Sequence, residues 1–217
     1  MRLRKVKYAY EKLQSYPELV IIDTKQYKGC WKSLFGNNQE IHLEIGIGKG
    51  KFIFELAQKN PHINYLGIEK YDSVIVRALE RLLINPLPNV RLIYVDAEKL
   101  PELFAKGEIN HLYLNFSDPW PKNSHKKRRL TSPLFLSRYY SILKKNAVIE
   151  YKTDNYRFFE YTMMTLVQNQ TIINKISLDL HQEKKIDNVE TEFETKFVSM
   201  GNPIYYINFQ MKERQNA

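Results

Sequence analysis

From residue 41 onward, short apolar runs alternate with longer segments of helical spacing. This alternation constrains the fold more than any other feature of the chain. The runs are Ile41–Ile45, Tyr65–Ile68, Val90–Val95, His111–Phe116, Ala147–Tyr151, Ile172–Leu178 and Ile204–Phe209. Most are rich in Val, Ile, Leu, Tyr and Phe, the residues that fit a pleated, half-buried surface. Between them, Phe52, Leu56 and Ala57 share one helical face. Ile75, Leu79, Leu82 and Leu83 share another, stopped by Pro86 and Pro88. Leu134, Phe135, Tyr139 and Leu143 follow the same spacing, as do Phe158, Phe159, Met163, Leu166 and Val167. Strands alternating with helices predict a mostly parallel sheet with helices on both faces. The last two runs lack an obvious helix between them, which predicts an antiparallel pair at one edge. Residues 1–38 are basic and aromatic with weak periodicity and read as an N-terminal arm; residues 39–217 read as the core of a single domain.

Open α/β sheets bind ligands at the carboxyl ends of their strands, so the chemistry is expected just after each run. The first run leads into Glu44-Ile45-Gly46-Ile47-Gly48-Lys49-Gly50. Glycines between a strand and a helix permit a tight turn and close approach of a ligand. A dinucleotide fingerprint needs glycine or alanine at position 51, which is Lys51. The Gly-x-Gly-x-Gly spacing instead resembles that of S-adenosylmethionine-dependent methyltransferases. Glu69 follows the second run, 19 residues after Gly50. A carboxylate there suits the two hydroxyls of an adenosine ribose. Asp96, after the third run, is placed for the adenine amino group. Glu44 is placed for the cationic amino-acid end of the donor. Each acid alone reads equally well as a solvated strand-end residue, but three on successive strands do not.

The fourth run ends in Asn115-Phe116-Ser117-Asp118-Pro119-Trp120-Pro121, followed by a basic stretch to Leu130. Two prolines flanking a tryptophan stiffen the backbone. Trp120 can then stack on a base or face the core. Positions 122–129 carry five Lys or Arg residues and no acid. That suits phosphate contacts, although a solvated charge run has the same appearance.

The stretch Asp118-Pro-Trp-Pro-Lys through His125-Lys-Lys-Arg-Arg-Leu130 resembles the signature of the bacterial tRNA (guanine-N7-)-methyltransferase family. So do the glycine turn and Thr191-Glu192-Phe193-Glu194 with Lys196-Phe197. The resemblance runs from about Arg2 to the final strand. It implies a Rossmann-like class I methyltransferase fold with a seven-stranded sheet, and methyl transfer from S-adenosylmethionine to N7 of a guanine in the tRNA variable loop. By residue, it implies cofactor contacts at Glu44, Gly46, Gly48, Gly50, Glu69, Asp96, Ala97 and Asp118, with Asp118 also catalytic. It implies substrate contacts at Lys122, Asp154, Thr191, Glu192, Phe193 and Glu194, and RNA contacts at Ser124, His125, Lys126, Lys127, Arg128 and Arg129. Phe193 departs from the family's tyrosine, which removes a phenol hydrogen bond. Thr191-x-x-Glu194 is also a capping box, so the motif has a purely structural reading as a helix start.

Charge agrees with the nucleic-acid reading. The 217 residues carry a formal net charge of +9, which favours a polyanionic partner, nucleic acid or an anionic membrane surface, without choosing between them. Arg2, Arg4, Lys5 and Lys7, with Lys126 to Arg129, are placed to straddle a phosphate backbone. The lone Cys30 excludes an internal disulfide and reads as a small buried apolar residue. The five histidines lack metal-ligand spacing, so no metal is expected. No signal peptide or membrane-length apolar run is present, so a cytoplasmic monomer or homodimer is expected. Three rival functions are a methyltransferase for another structured RNA such as rRNA, a nicotinamide-dependent dehydrogenase, and a non-catalytic RNA-binding module. The last leaves the strand-end acids unexplained. Trp120 also stands where adenine-N6 methyltransferases carry a second proline, which disfavours that chemistry.

Overall fold

Each apolar run of the sequence becomes a strand in the computed structural model, which describes residues 5–183 and 188–212. The strands are β1 (Val20–Ile21), β2 (Ile41–Ile45), β3 (Asn64–Glu69), β4 (Val90–Tyr94), β5 (Ile109–Asn115), β6 (Leu143–Thr153), β7 (Ile172–Ser177) and β8 (Tyr205–Gln210). The helices are α1 (Ala9–Gln14), α2 (Lys51–Lys59), α3 (Asp72–Ile84), α4 (Leu100–Leu103), α5 (Pro133–Ile142), α6 (Tyr156–Gln168) and α7 (Glu192–Ser199). The sheet runs β1-β4-β3-β2-β5-β6-β8-β7. All pairs are parallel except β6–β8 and β8–β7, the antiparallel edge expected from the last two runs. Seven strands match the expected sheet. The eighth is β1, two residues of the N-terminal segment that pair with β4 and are too short to show any periodicity.

Successive side chains of a strand point to opposite faces, so the sheet divides the core in two. Ile41, Leu43, Ile45, Leu112, Leu114, Ile149 and Ile207 pack with the buried faces of α4, α5 and α6. Tyr65, Val90, Leu92 and Tyr113 pack on the other side with α1, α2 and α3. The N-terminal segment contributes to both. Leu13 of α1 joins the second cluster, and Val6 N–H donates to Ser73 Oγ at 3.0 Å. Trp31 is fully buried on the opposite face, with its indole N–H on Leu103 O at 2.8 Å. Arg2 and Arg4 lie outside the described residues.

Three expectations are corrected. Leu134 and Val167 sit on the helices foreseen for them but face solvent, at 46% and 63% exposure. A helix only two layers from solvent needs a narrower apolar stripe than its sequence offers. Leu143 begins β6 rather than ending α5. Cys30 is exposed, because the turn that buries the large Trp31 ring points its neighbour outward. Among the described residues no helix is long and apolar enough to cross a membrane.

The middle of the second face is unusual. Where β2, β5 and β6 adjoin, it carries Glu44, Tyr113, Asn115, Glu150 and Lys152 instead of aliphatic residues. The sheet order also reverses between β2 and β5, the kind of switch point at which open sheets bind ligands. The buried polar residues and the topological crevice therefore coincide.

Candidate active site

The glycine turn connects β2 to α2 with Gly46, Gly48 and Gly50 at φ 79, 59 and 84°. These angles lie in the left-handed region that a Cβ disfavours. At Gly46 and Gly48 an added Cβ would meet no atom within 4 Å, so this side of the turn is open space. At Gly50 it would lie 2.8 Å from the Phe54 ring, so that glycine also serves packing. Gly67 of β3 has a comparable role unmarked in the sequence. A Cβ there would strike Ile47 Cγ2 at 2.8 Å, so its absence lets the turn settle on the sheet.

Across the sheet, the strand tips present Asp96, Glu69, Glu44, Asp118 and Asp154 in spatial order from β4 to β6. Glu69 accepts from the N–H groups of Lys70 (2.8 Å), Tyr71 (3.1 Å) and Gly48 (3.3 Å), which ties the second tip to the glycine turn. Burial raises its carboxyl above the usual range, and these donors oppose the shift. Asp96 caps the short 3₁₀ helix Ala97–Lys99 through Glu98 N–H at 2.9 Å and faces Lys70 Nζ at 3.7 Å; Ala97 is buried beneath it.

Glu44 is 2% exposed. Its Oε1 accepts from Asn115 Nδ2 at 3.0 Å, while Oε2 is buried with no partner among the described residues. Burial pushes its pKa up to about 8, with Asn115 and Lys152 pulling the other way. Asn115 Oδ1 and Ser117 Oγ are likewise buried and unpartnered. Such atoms are rare in folded proteins and call for a missing partner. Three of them gather around the β2 and β5 tips, beside an open glycine turn. That arrangement fits a donor with an ammonium group and a sulfonium. Asn115 and Ser117 flank Asp118 in the motif, but only pairing of β2 with β5 brings them to Glu44.

The loop after β5 is strained. Phe116 and Trp120 have φ of 49° and 41°, a region that costs a bulky L-residue about 1–3 kcal/mol. Asp118 between them is exposed and engages no other side chain among the described residues. Asp154 follows β6, half-buried. Trp120 is half-buried and packs on the basic run, not in the core. His125 meets its ring edge-on at 5.6 Å, and the Arg128 guanidinium lies 5.0 Å from its centroid. Lys122, Ser124, Lys126, Lys127 and Arg128 are exposed on or beside the 3₁₀ helix Asn123–Arg128. Arg129 turns inward instead.

The Thr191–Glu194 motif is a capping box: Glu194 N–H donates to Thr191 Oγ1 at 2.9 Å, and Thr191 N–H to Glu194 Oε2 at 3.4 Å. Thr191 and Glu194 are buried, Glu192 pairs with Arg81 at 2.6 Å, and Phe193 projects outward at 48% exposure. Glu194 also holds Lys152 Nζ at 3.1 Å and His181 Nε2 at 3.0 Å. Lys51 Nζ donates to Thr195 Oγ1 at 3.0 Å. Helix α7 is thereby fixed to α2, α3 and β6, next to the residue that follows the glycine turn. Lys152 is the residue whose importance was least visible beforehand; nothing in a strand sequence marks an ammonium as buried. Among the described residues no group of three His, Cys, Asp or Glu is placed to hold a metal ion.

A reversed parallel sheet, an open glycine turn and acids on consecutive strand tips together define a class I S-adenosylmethionine-dependent methyltransferase. Solved structures agree on the fold. A 16S rRNA methyltransferase, KamB, superposes with a TM-score of 0.65 at 16% identity, over 84% of this chain and 93% of that one. An antibiotic-related methyltransferase gives 0.61 at 19% identity, over 84% and 92%. The family profile described as "Putative methyltransferase" matches residues 38–207. The tRNA (guanine-N(7)-)-methyltransferase of Geobacillus sp. (strain WCH70) is 52% identical over 94% of this chain and 93% of its own length. That of Bacillus cytotoxicus is 48% identical over 95% of each. The chain belongs to the tRNA (guanine-N(7)-)-methyltransferase family.

Proposed function

We propose that this protein transfers the methyl group of S-adenosylmethionine to N7 of a guanine in the variable loop of tRNA. Among structural features, the observation that carries the reading is the set of unpartnered buried atoms, Glu44 Oε2, Asn115 Oδ1 and Ser117 Oγ, at the mouth of the open glycine turn. Bound S-adenosylmethionine supplies an electrophilic methyl group on a sulfonium. Glu69 and Asp96 hold the adenosine end, and Glu44 faces the amino-acid end.

Guanine N7 has a lone pair and no proton, so no general base is needed there. The N7–methyl bond forms as the sulfur–methyl bond breaks, and the bonding pair returns to sulfur. Positive charge passes to the purine. Asp118, which engages no other side chain among the described residues, stabilises that charge, and Asp154 or Asp118 accepts from guanine N1–H or the exocyclic amine to fix its orientation. The rest of the acceleration is positional. Lys122 and the exposed residues Ser124 and Lys126–Arg128 contact RNA phosphates. Phe193 offers its ring, not a hydrogen bond, to the substrate. Thr191 and Glu194, being buried, act by holding α7 in place.

Incubation with labelled S-adenosylmethionine and unmodified tRNA, followed by nucleoside analysis, should yield 7-methylguanosine. Label in rRNA alone, or in no nucleic acid, would reject the reading.

The raised Glu44 carboxyl makes donor binding pH-dependent. With its pKa near 8, Glu44 is mostly protonated and neutral at pH 6. A cationic donor binds the ionised form better and expels the proton. Affinity for S-adenosylmethionine should therefore rise from pH 6 to about 8, by up to about tenfold per pH unit, and then flatten. Calorimetry across this range checks it. Glu44→Gln should bind more weakly and lose the slope, apart from the donor's own amine titration, which both proteins share. Identical profiles for the two proteins would refute the role.

A further inference from the structure

We infer that Arg129 is a positioning residue that holds the Asp118–Trp120 loop in its strained shape, and is not one of the phosphate contacts of the basic run. This rests on the methyl-transfer reading of the site. Its Nε donates to Pro119 O at 2.9 Å and lies 3.3 Å from Trp120 O, and its Nη2 donates to Trp120 O at 3.0 Å. The planar fork thus grips two consecutive carbonyls directly after Asp118. The other face of the guanidinium lies 4.1 Å from the centroid of the Tyr161 ring of α6. The grip uses two of the five guanidinium N–H groups, and with one face on the Tyr161 ring the group is aimed at the loop and α6, not outward like its exposed neighbours.

The base of this arm is anchored. Leu130 O accepts from the buried Tyr139 hydroxyl at 2.8 Å, Thr131 Oγ1 lies 2.8 Å from Thr162 Oγ1, and Ser132 N–H donates to Arg129 O at 2.9 Å. Residues 130–132 are therefore pinned to α5 and α6, and the length of the Arg129 side chain sets where the loop carbonyls sit. A bulky residue in the left-handed region persists only where its surroundings over-determine it. Trp120 is such a residue. The grip on its own carbonyl, with Arg128 and His125 against its ring, supplies that constraint. Lysine cannot replace this arrangement, because a point-charge ammonium lacks the planar fork.

The test uses the full chain with Arg129→Gln, Arg129→Lys and Tyr161→Leu. Both Arg129 variants should lose roughly 10²-fold in kcat, the cost expected of an ångström-scale misplacement. Their tRNA affinity and its salt dependence should stay at the unsubstituted values. The chain has two tryptophans, and Trp31 is fully buried, so emission reports the loop: Trp120 should shift toward a solvated indole and become more open to quencher. Tyr161→Leu should show the same signature, weaker, and carries the test if an Arg129 variant fails to fold. Lys126→Gln, whose exposed side chain makes no contact with the Trp120 ring, should by contrast weaken tRNA binding and flatten the log affinity–log salt slope by about one. A flattened slope with native kcat in Arg129→Gln would make Arg129 a phosphate contact and overturn the inference. Full rescue by lysine, or native emission and turnover in both variants, would overturn it too. Failure of the unsubstituted protein to form 7-methylguanosine would refute the functional reading instead, and the emission of Trp120 would still decide the anchoring.

Discussion

Asp118→Ala should lower kcat for tRNA methylation by about 10²–10³-fold, the scale of removing one preorganised electrostatic partner from a transition state. The affinity for S-adenosylmethionine should change little by comparison. Asp118 is the first residue of a stiff, strained turn, exposed and without a side-chain partner among the described residues. Its carboxylate is therefore available to whatever enters the site. In the proposed site the donor is held by Glu44, Glu69 and Asp96 on three other strands, so removing Asp118 should leave most of its binding intact. Charge reaches the purine only as the methyl moves, so the loss should fall on turnover. Single-turnover rates and donor titration separate the two quantities. Asp118→Asn distinguishes roles further. An amide still accepts from guanine N1–H but carries no charge, so it should restore orientation without the electrostatic part. Native turnover in Asp118→Ala would remove Asp118 from the mechanism.

The placement of the proposed donor-site acids on neighbouring strand tips was legible because one rule of open sheets, ligands at the carboxyl ends of strands, turns sequence position into spatial position. Glu44, Glu69 and Asp96 each follow an apolar run, and the sheet order places their strands side by side. Residues whose role comes from pairing were not legible. Asn115 gains its meaning from Glu44, 71 residues earlier. Lys152 gains its meaning from Glu194, 42 residues later. The basic run shows the same limit within a single motif. Four of its five Lys and Arg side chains are exposed and one turns inward, yet spacing treats Lys122, Lys126, Lys127, Arg128 and Arg129 alike. The carbonyls of Pro119 and Trp120 and the ring of Tyr161, on a helix begun 27 residues after Arg129, decide which one turns. The capping box was legible as a pattern. That it also buries the glutamate against a lysine was not.

That pair should dominate the stability of the C-terminal half. Lys152 and Glu194 are 4% and 0% exposed at the side chain, with Nζ 3.1 Å from Oε2. Burial pulls the lysine pKa down, and the nearby Glu194, Glu150 and Glu44 resist. Lys152→Met should cost about 3–5 kcal/mol, the usual result of stranding one member of a buried ion pair. The stranded group is the Glu194 carboxylate, left to His181 and Asn188, with capping of α7 through the same side chain. Urea unfolding measures the loss. Removing both charges in Lys152→Met/Glu194→Gln should recover much of it, since two neutral groups leave no uncompensated charge. A single-variant cost under about 1 kcal/mol would instead mean that the pair is no stronger than a surface ion pair. The effect should reach the donor as well. Lys152 is one of the groups that oppose the upward shift of Glu44, so without it Glu44 should ionise at still higher pH. The rise in S-adenosylmethionine affinity with pH should then begin later in Lys152→Met than in the unsubstituted protein. A folded variant with an unmoved profile would confine Lys152 to stability alone.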